Sequence, residues 1–131
     1  MIKIEHLAIW ANDIEALKSF YEKYFGATTN VKYHNEKKQF QSYFLTFSSG
    51  PRLELMQRPD VTAAEKTQRH QEFLGYAHLA VSLGSEAAVD DLTERLIIDG
   101  YDRLDGPRRT GDGYYESVIL DPEGNRVEIT V

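Results

Sequence analysis

Apolar and polar residues alternate in four short stretches, which predicts four β-strands that each have one apolar face. The alternation occurs in residues 3–10, 51–56, 76–83 and 126–131. In residues 14–25 the apolar side chains instead recur every three or four positions, which predicts an amphipathic helix. We expect Asn12 to cap this helix with Glu15 as its capping-box partner, and Gly26 to end it.

The second half of the chain repeats this pattern of the first. His78 lies 72 positions after His6, and HLAVSLGSEAAVDDLTERLIIDG overlies HLAIWANDIEALKSFYEKYFG as strand, cap, helix and terminal Gly. Residues 42–55 and 116–129 then each predict a β-hairpin with Gly in its turn. The sequence therefore predicts one α+β domain of two tandem βαβββ modules, about residues 1–57 and 75–131. A polar linker, about residues 58–74, joins them and is expected to hold a short helix around residues 63–73.

Composition narrows the function classes. The 131 residues carry a net charge of −6, which argues against nucleic acid because phosphate binding needs a concentrated positive face. No cysteine is present, so disulfides and thiolate metal sites are excluded. Neither a signal peptide nor an apolar stretch long enough to span a bilayer is apparent, so we expect a cytoplasmic protein without a membrane partner.

The repeated polar residues fall on one face of the predicted strands. Alternation places His6, Glu54, His78 and Glu128 opposite the apolar side chains that should pack on the helices. A solvated strand face would produce the same alternation, and any one of the four residues alone would mean little. Together they are notable because the neighbouring residues on that face are small or apolar: Ala8, Met56, Ala80 and Thr130.

Two carboxylates in a partly apolar pocket need a charged partner, and a divalent cation supplies one. Two imidazoles and two carboxylates suit Ni, Zn, Mn, Co or Fe(II). Four protein ligands in an octahedron leave two positions open, which suits a substrate with two adjacent oxygens.

The chain resembles the vicinal oxygen chelate superfamily, which includes glyoxalase I, bleomycin-resistance proteins and extradiol dioxygenases. The resemblance covers nearly the whole chain and rests on the first helix-containing segment quoted above, PRLELM, YAHLAVS and LDPEGNRVEI. It implies a cupped mixed β-sheet with helices outside, a metal site in the cup and a homodimer.

The same resemblance implies roles for single residues. Residue by residue, the metal ligands fall on His6, Glu54, His78 and Glu128, the set typical of glyoxalase I. That likeness implies a lyase or isomerase that chelates two vicinal oxygens and moves a proton through an enediolate. Glu128 is the expected base, and Glu54 is its symmetric counterpart.

Two positions depart from bacterial glutathione-using glyoxalases. These carry Arg four residues after the first His and Asn four residues after the first Glu, where this chain has Trp10 and Arg58. The resemblance therefore implies the chemistry and leaves the substrate open. Further candidates for substrate contact are residues in or next to a Gly-rich loop, together with the single Trp: Arg108, Arg109, Tyr114, Tyr115 and Trp10.

Two other functions stay open from the sequence. The same cup could bind an antibiotic or metabolite without chemistry, as bleomycin-resistance proteins do. Alternatively, His6, His78 and Glu128 could form the two-His-one-carboxylate site of an Fe(II) dioxygenase, although Glu54 weighs against an open triad. The metal content of the purified protein separates these alternatives.

Overall fold

A computed structural model describes residues 1–63 and 70–131 of the chain. The chain divides into two compact units, Met1–Ala64 and Glu65–Val131. In the part of the chain that the structure describes, each unit contains one helix on one sheet, which confirms the predicted α+β fold of two modules. The helix expected around residues 63–73 falls for the most part outside the described residues.

The first unit is a mixed sheet with one helix. Its elements are β1 (His6–Trp10), α1 (Ile14–Phe25), β2 (Thr28–Thr29), β3 (Tyr33–Asn35), β4 (Phe40–Thr46) and β5 (Arg52–Gln57). The strand order is β1-β5-β4-β2, and β3 also pairs with β4. Strands β1 and β5 are parallel, whereas β4 and β5 form the predicted antiparallel hairpin. The parallel pair brings the first and the last strand of the unit side by side.

Helix α1 begins one residue later than the sequence suggested. The N-cap is Asp13 rather than Asn12, because Asp13 has the extended backbone of a cap and its carboxylate accepts hydrogen bonds from the amides of Glu15 and Ala16. The Glu15 side chain accordingly forms no capping box; it accepts a hydrogen bond from the Tyr43 hydroxyl at 2.9 Å. Gly26 ends the helix in the left-handed conformation, as predicted.

The second unit has the same plan with a simpler sheet. Its elements are β6 (Leu79–Ser82), α2 (Glu86–Ile98), β7 (Arg103–Arg109), β8 (Tyr115–Leu120) and β9 (Arg126–Thr130). The strand order is β6-β9-β8-β7, with β6 and β9 parallel and β8 and β9 antiparallel. Ser85 caps α2 as predicted, since its hydroxyl accepts from the amide of Ala88 at 3.1 Å.

Each helix packs over the central strands of its own sheet. In the first unit α1 lies on β4 and β5, and in the second α2 lies on β7, β8 and β9. The buried apolar residues from these helices and strands include Ile14, Leu17, Tyr21, Leu45 and Leu55 in the first unit and Val89, Leu96, Ile119, Val127 and Ile129 in the second. The face of each sheet away from its helix carries Glu54 in the first unit and Glu128 in the second. No helix among the described residues is both long and apolar enough to cross a bilayer.

Candidate metal and substrate site

The first unit places an imidazole against a carboxylate on the face of the sheet away from α1. His6 opens β1 and Glu54 lies in β5, where its register partner is Ala8. His6 Nε2 is 3.7 Å from Glu54 Oε1, and the exposed fractions of the two side chains are 39% and 15%. The more buried Glu54 therefore lies at the base of this pair, and His6 lies at its rim.

A second carboxylate orients the imidazole of His6. His6 Nδ1 contacts the Glu5 carboxylate, and Arg52 Nε donates to Glu5 Oε1 at 2.8 Å. The hydrogen bond from His6 lowers the pKa of Glu5, and Arg52 lowers it further. When a carboxylate accepts the Nδ1 proton of an imidazole, the Nε2 atom carries a lone pair that can bind a metal. Metal-bound histidines have this arrangement.

Aromatic rings surround this pair in the first unit. The ring of Phe44 meets that of His6 edge-on at 5.3 Å between centroids, and the Arg52 guanidinium lies 4.2 Å from the Phe44 centroid. Trp10, which is 41% exposed, contacts Phe40 at 6.1 Å between ring centroids. Trp10 lies on the same face as His6, and the Arg58 guanidinium lies 5.1 Å from the centroid of its ring. Its role as a cavity wall stays a prediction.

The second unit forms the matching pair. His78 immediately precedes β6, and Glu128 lies in β9 with Ala80 as its register partner. His78 Nε2 is 3.2 Å from Glu128 Oε2, and the exposed fractions of the side chains are 44% and 19%. Each half of the chain thus contains one imidazole next to one carboxylate, on two strands that pair in parallel.

Glu116 is an additional acidic residue on this face that the sequence reading missed. In the β8–β9 ladder Glu116 faces Thr130 and Val118 faces Glu128, so both glutamates lie on one face of the sheet. A hydrogen bond with Glu128, burial and the negative charge of Glu128 raise the pKa of Glu116 to about 7, while His78 opposes the rise. The alternation in YESVIL was the signal that could have revealed it.

The other predicted substrate contacts divide between the two faces of the second sheet. Arg108 is paired with Glu116 in register, which places it on the glutamate face, and its Nε donates to Asp105 Oδ2 at 2.9 Å. Arg109 contacts Glu86 of α2, and the Tyr115 hydroxyl donates to Asp90 Oδ1 at 2.6 Å. Arg109 and Tyr115 therefore face the helix, which weighs against a substrate contact at these two positions.

Tyr114 lies in the loop before β8 and is 56% exposed. The bond to Asp90 raises the pKa of Tyr115, since the carboxylate favours the protonated phenol.

Within residues 1–63 and 70–131, no group of three or more His, Asp or Glu side chains is close enough to hold a metal ion. Each unit accordingly presents one imidazole–carboxylate pair, and in the second unit Glu116 is also hydrogen-bonded to the carboxylate.

The donor pairs have the chemistry and spacing of metal ligands. Two ligand atoms at right angles around a Zn²⁺-sized ion lie about 3 Å apart, given metal–ligand bonds of about 2.1 Å. The 3.2 Å separation of His78 and Glu128 is close to that value, and the 3.7 Å separation of His6 and Glu54 is slightly longer. Each pair by itself therefore has the donor types and the spacing of two neighbouring ligands of a divalent cation.

Comparison with known proteins agrees with the two-module α+β fold. A family model described as Glyoxalase/Bleomycin resistance protein/Dioxygenase superfamily matches residues 3–129. The chain belongs to this superfamily. A comparison with curated proteins found no match.

Solved structures similar to this superfamily member include three glyoxalase-type proteins. A possible glyoxalase from Bacillus cereus is 26% identical over 100% of both chains, with a TM-score of 0.72. The trypanothione-dependent glyoxalase I of Leishmania major is 19% identical over 99% of this chain and 86% of its own, with a TM-score of 0.76. A lactoylglutathione lyase from Agrobacterium tumefaciens is 23% identical over 99% of this chain and 93% of its own, with a TM-score of 0.69. At these identities the last two show a shared fold.

Proposed function

We propose that this superfamily member is a divalent-metal-dependent lyase or isomerase of the glyoxalase I type. The observation that supports the proposal is the duplicated donor pair, in which each unit places an imidazole nitrogen within 4 Å of a carboxylate oxygen. His6, Glu54, His78 and Glu128 would hold the metal. A bound metal would supply Lewis-acid activation to a small substrate with two neighbouring oxygens.

The chain's own residues then move the proton. We assign Glu128 as the base that removes a proton from the substrate carbon and returns it to the neighbouring carbon. Glu54 is the matching carboxylate on the other half and the second candidate for this role. The rings of Trp10 and Phe44 provide apolar surface that would exclude water from the substrate.

Metal analysis tests the ligand assignment directly. Protein purified without chelator should contain one divalent ion per complete site. His6→Ala and His78→Ala should each lower the metal content severely, because each removes one imidazole donor. His34→Ala is the matched control, since His34 lies on the α1 side of the first sheet. Metal retained equally by all three variants would refute the proposed site.

Turnover then separates the base from a simple ligand. Glu128→Gln should reduce isomerisation of the methylglyoxal–glutathione hemithioacetal, or of another vicinal-oxygen compound found by screening, far more than it reduces metal content. Equal losses would make Glu128 a ligand without a role in proton transfer. A metal-free protein that binds these compounds unchanged would favour the non-catalytic binding function, and iron with oxygen uptake would favour the dioxygenase.

The homodimer implied by the resemblance is part of this proposal, because the two halves of one site can come from one chain or from two. Light scattering measures the oligomeric state. If a dimer shares its sites, mixing the His6→Ala and His78→Ala proteins should produce some complete sites and restore part of the metal binding. If every site lies within one chain, mixing should restore none. We further propose a cytoplasmic location, as the sequence suggests.

A further inference from the structure

The first unit contains a polar cleft on the side of the sheet opposite His6 and Glu54. The cleft has a volume of about 480 Å³, which lies in the range of small-molecule sites. A row of three side chains across β3, β4 and β5 forms its wall: His34 is the register partner of Gln41, and Gln41 is the register partner of Gln57. Glu54 is three residues before Gln57, so its side chain points to the other face.

The two glutamines are held with their amide nitrogens available as donors. The backbone amide of Ile14 donates to Gln57 Oε1 at 3.0 Å. The ammonium group of Lys32 donates to Gln41 Oε1 at 2.8 Å. Neither Ile14 N nor Lys32 Nζ can accept a hydrogen bond, so the side-chain oxygens are identified by chemistry alone. Each glutamine therefore has its Nε2 hydrogens left to donate elsewhere.

The charge around the cleft has the sign that suits an anion. Among the described residues that form the cleft, Arg58 is cationic and none is acidic. A second cavity of about 420 Å³ adjoins it, shares Gln39 and Arg58 with it, and is bordered by Lys37 and Lys38. Asp60 also borders this second cavity, where it accepts from Arg58 Nε at 2.5 Å. This local excess of cations contrasts with the net charge of −6 of the whole chain.

A backbone feature marks the same place. Gln39, in the turn between β3 and β4, has φ 52°, in the left-handed region that favours glycine. It is the one residue other than glycine with positive φ among the described residues. Holding a glutamine there costs about 1 kcal/mol relative to glycine, and such costs concentrate at binding sites. Gln39 borders both cavities.

We propose that this cleft binds a small molecule through an oxyanion, either a carboxylate or a phosphate group. The amide nitrogens of Gln41 and Gln57 donate to the anion oxygens, and Arg58 supplies charge. Gln41 and Gln57 lie on the α1 side of the sheet, away from the proposed metal ligands of the first unit, whereas Arg58 follows the end of β5 and its guanidinium lies 5.1 Å from the centroid of the Trp10 ring. The donors of the proposed anion site are therefore separate from the proposed metal ligands and do not depend on the proposed lyase activity.

Isosteric substitutions test the donor arrangement in the full-length protein. Gln41→Glu and Gln57→Glu keep an oxygen for Lys32 and for the amide of Ile14, but each replaces the donating NH₂ group with a carboxylate oxygen. Asn30→Asp makes the same chemical change in the same unit, at a residue outside the cleft whose oxygen accepts from the amide of Phe44 at 2.8 Å. Circular dichroism checks that all three variants remain folded.

The probes are succinate and inorganic phosphate, titrated at constant ionic strength and followed by NMR. We expect saturable shifts of the side-chain NH₂ signals of Gln41 and Gln57 with one of the two anions. The preferred probe identifies the group as carboxylate or phosphate. Gln41→Glu and Gln57→Glu should each weaken binding by about tenfold or more, through lost donors and like-charge repulsion, while Asn30→Asp leaves binding unchanged.

Two results would overturn the proposal. The first is the absence of saturable shifts with both anions. The second is an equal weakening in Asn30→Asp, which would reduce the effect to general electrostatics. Neither result bears on metal content or turnover, so the cleft and the proposed function succeed or fail separately.

Discussion

Glu116 should make the stability of the metal-free protein depend on pH near neutrality. Its pKa is raised from 4.5 to about 7, chiefly by the hydrogen bond with Glu128 and by burial. The folded state therefore holds a proton that the unfolded state releases between these two pH values. The stabilisation is complete below about pH 4.5 and is lost as the pH rises toward 7, because the carboxyl group must ionise beside Glu128.

The magnitude follows from the size of the shift. At about 1.4 kcal/mol per pKa unit, a change from 4.5 to about 7 sets an upper limit of about 3.5 kcal/mol. Glu116 is only partly buried, and solvent screens the interaction, so we expect about 1–2 kcal/mol to be lost across this window. Glu116→Gln cannot ionise and keeps a hydrogen-bond donor for Glu128. Relative to the natural protein, the variant should therefore gain about 1–2 kcal/mol on going from pH 4.5 to pH 8.

Urea denaturation followed by circular dichroism, in the presence of chelator, measures this difference. Glu94→Gln is the matched control, because Glu94 lies on the exposed side of α2 and its loss changes the net charge equally. We expect the Glu94→Gln protein to follow the pH profile of the natural protein. Parallel profiles for Glu116→Gln and the natural protein between pH 5 and pH 8 would refute the assignment of a shared proton to Glu116 and Glu128.

Three further predictions concern the scaffold, each measured by chemical or thermal denaturation. Gly106→Ala should destabilise by at least about 2 kcal/mol, because φ is +75° and an added Cβ would lie 2.3 Å from the carbonyl oxygen of Glu116; an unchanged midpoint would contradict that close approach. Thr93→Val should cost about 1–3 kcal/mol, since it leaves the buried Ser117 hydroxyl without its 2.6 Å partner, and adding Ser117→Ala should recover part of the loss. Asp13→Ala should cost about 1 kcal/mol by removing the cap of α1.

The donor pairs were predictable because two simple rules fix them. Alternation along a strand determines the face of each side chain, and the duplication places the same residue types at matching positions. His6 and Glu54 then meet because β1 pairs with β5 in parallel, and His78 and Glu128 meet because β6 pairs with β9 in parallel. The sequence predicts which face of its strand each side chain occupies, and the structure shows which of these side chains lie next to each other.

Other features depend on information that the local pattern does not contain. Asn12 and Asp13 are both good cap residues, and only the backbone angles decide that Asp13 caps the helix. The local pattern predicts Arg109 and Tyr115 as substrate contacts, whereas in the structure both side chains contact α2, because strand β7 carries register shifts that the sequence does not reveal. The side-chain amides of Gln57 and Gln41 are oriented by hydrogen bonds from Ile14 of α1 and from Lys32 in a loop, and the local sequence pattern does not reveal these distant donors.

The divergence between the duplicated halves explains why they should not be chemically equal. Glu116 follows Ser42 by 74 positions, which is the offset between the repeated hairpins. The two residues therefore occupy matching places in β8 and β4. In the first half this place is a buried hydroxyl group beside Met56, whereas in the second half it is a carboxyl group on the face of Glu128. In the first unit a hydroxyl group therefore stands at the place where, in the second unit, Glu116 is hydrogen-bonded to Glu128. Because the raised pKa of Glu116 arises chiefly from its contact with Glu128, and the first unit has no carboxyl group at the matching position, the two units differ in acid–base chemistry even though the imidazole–carboxylate pair is repeated.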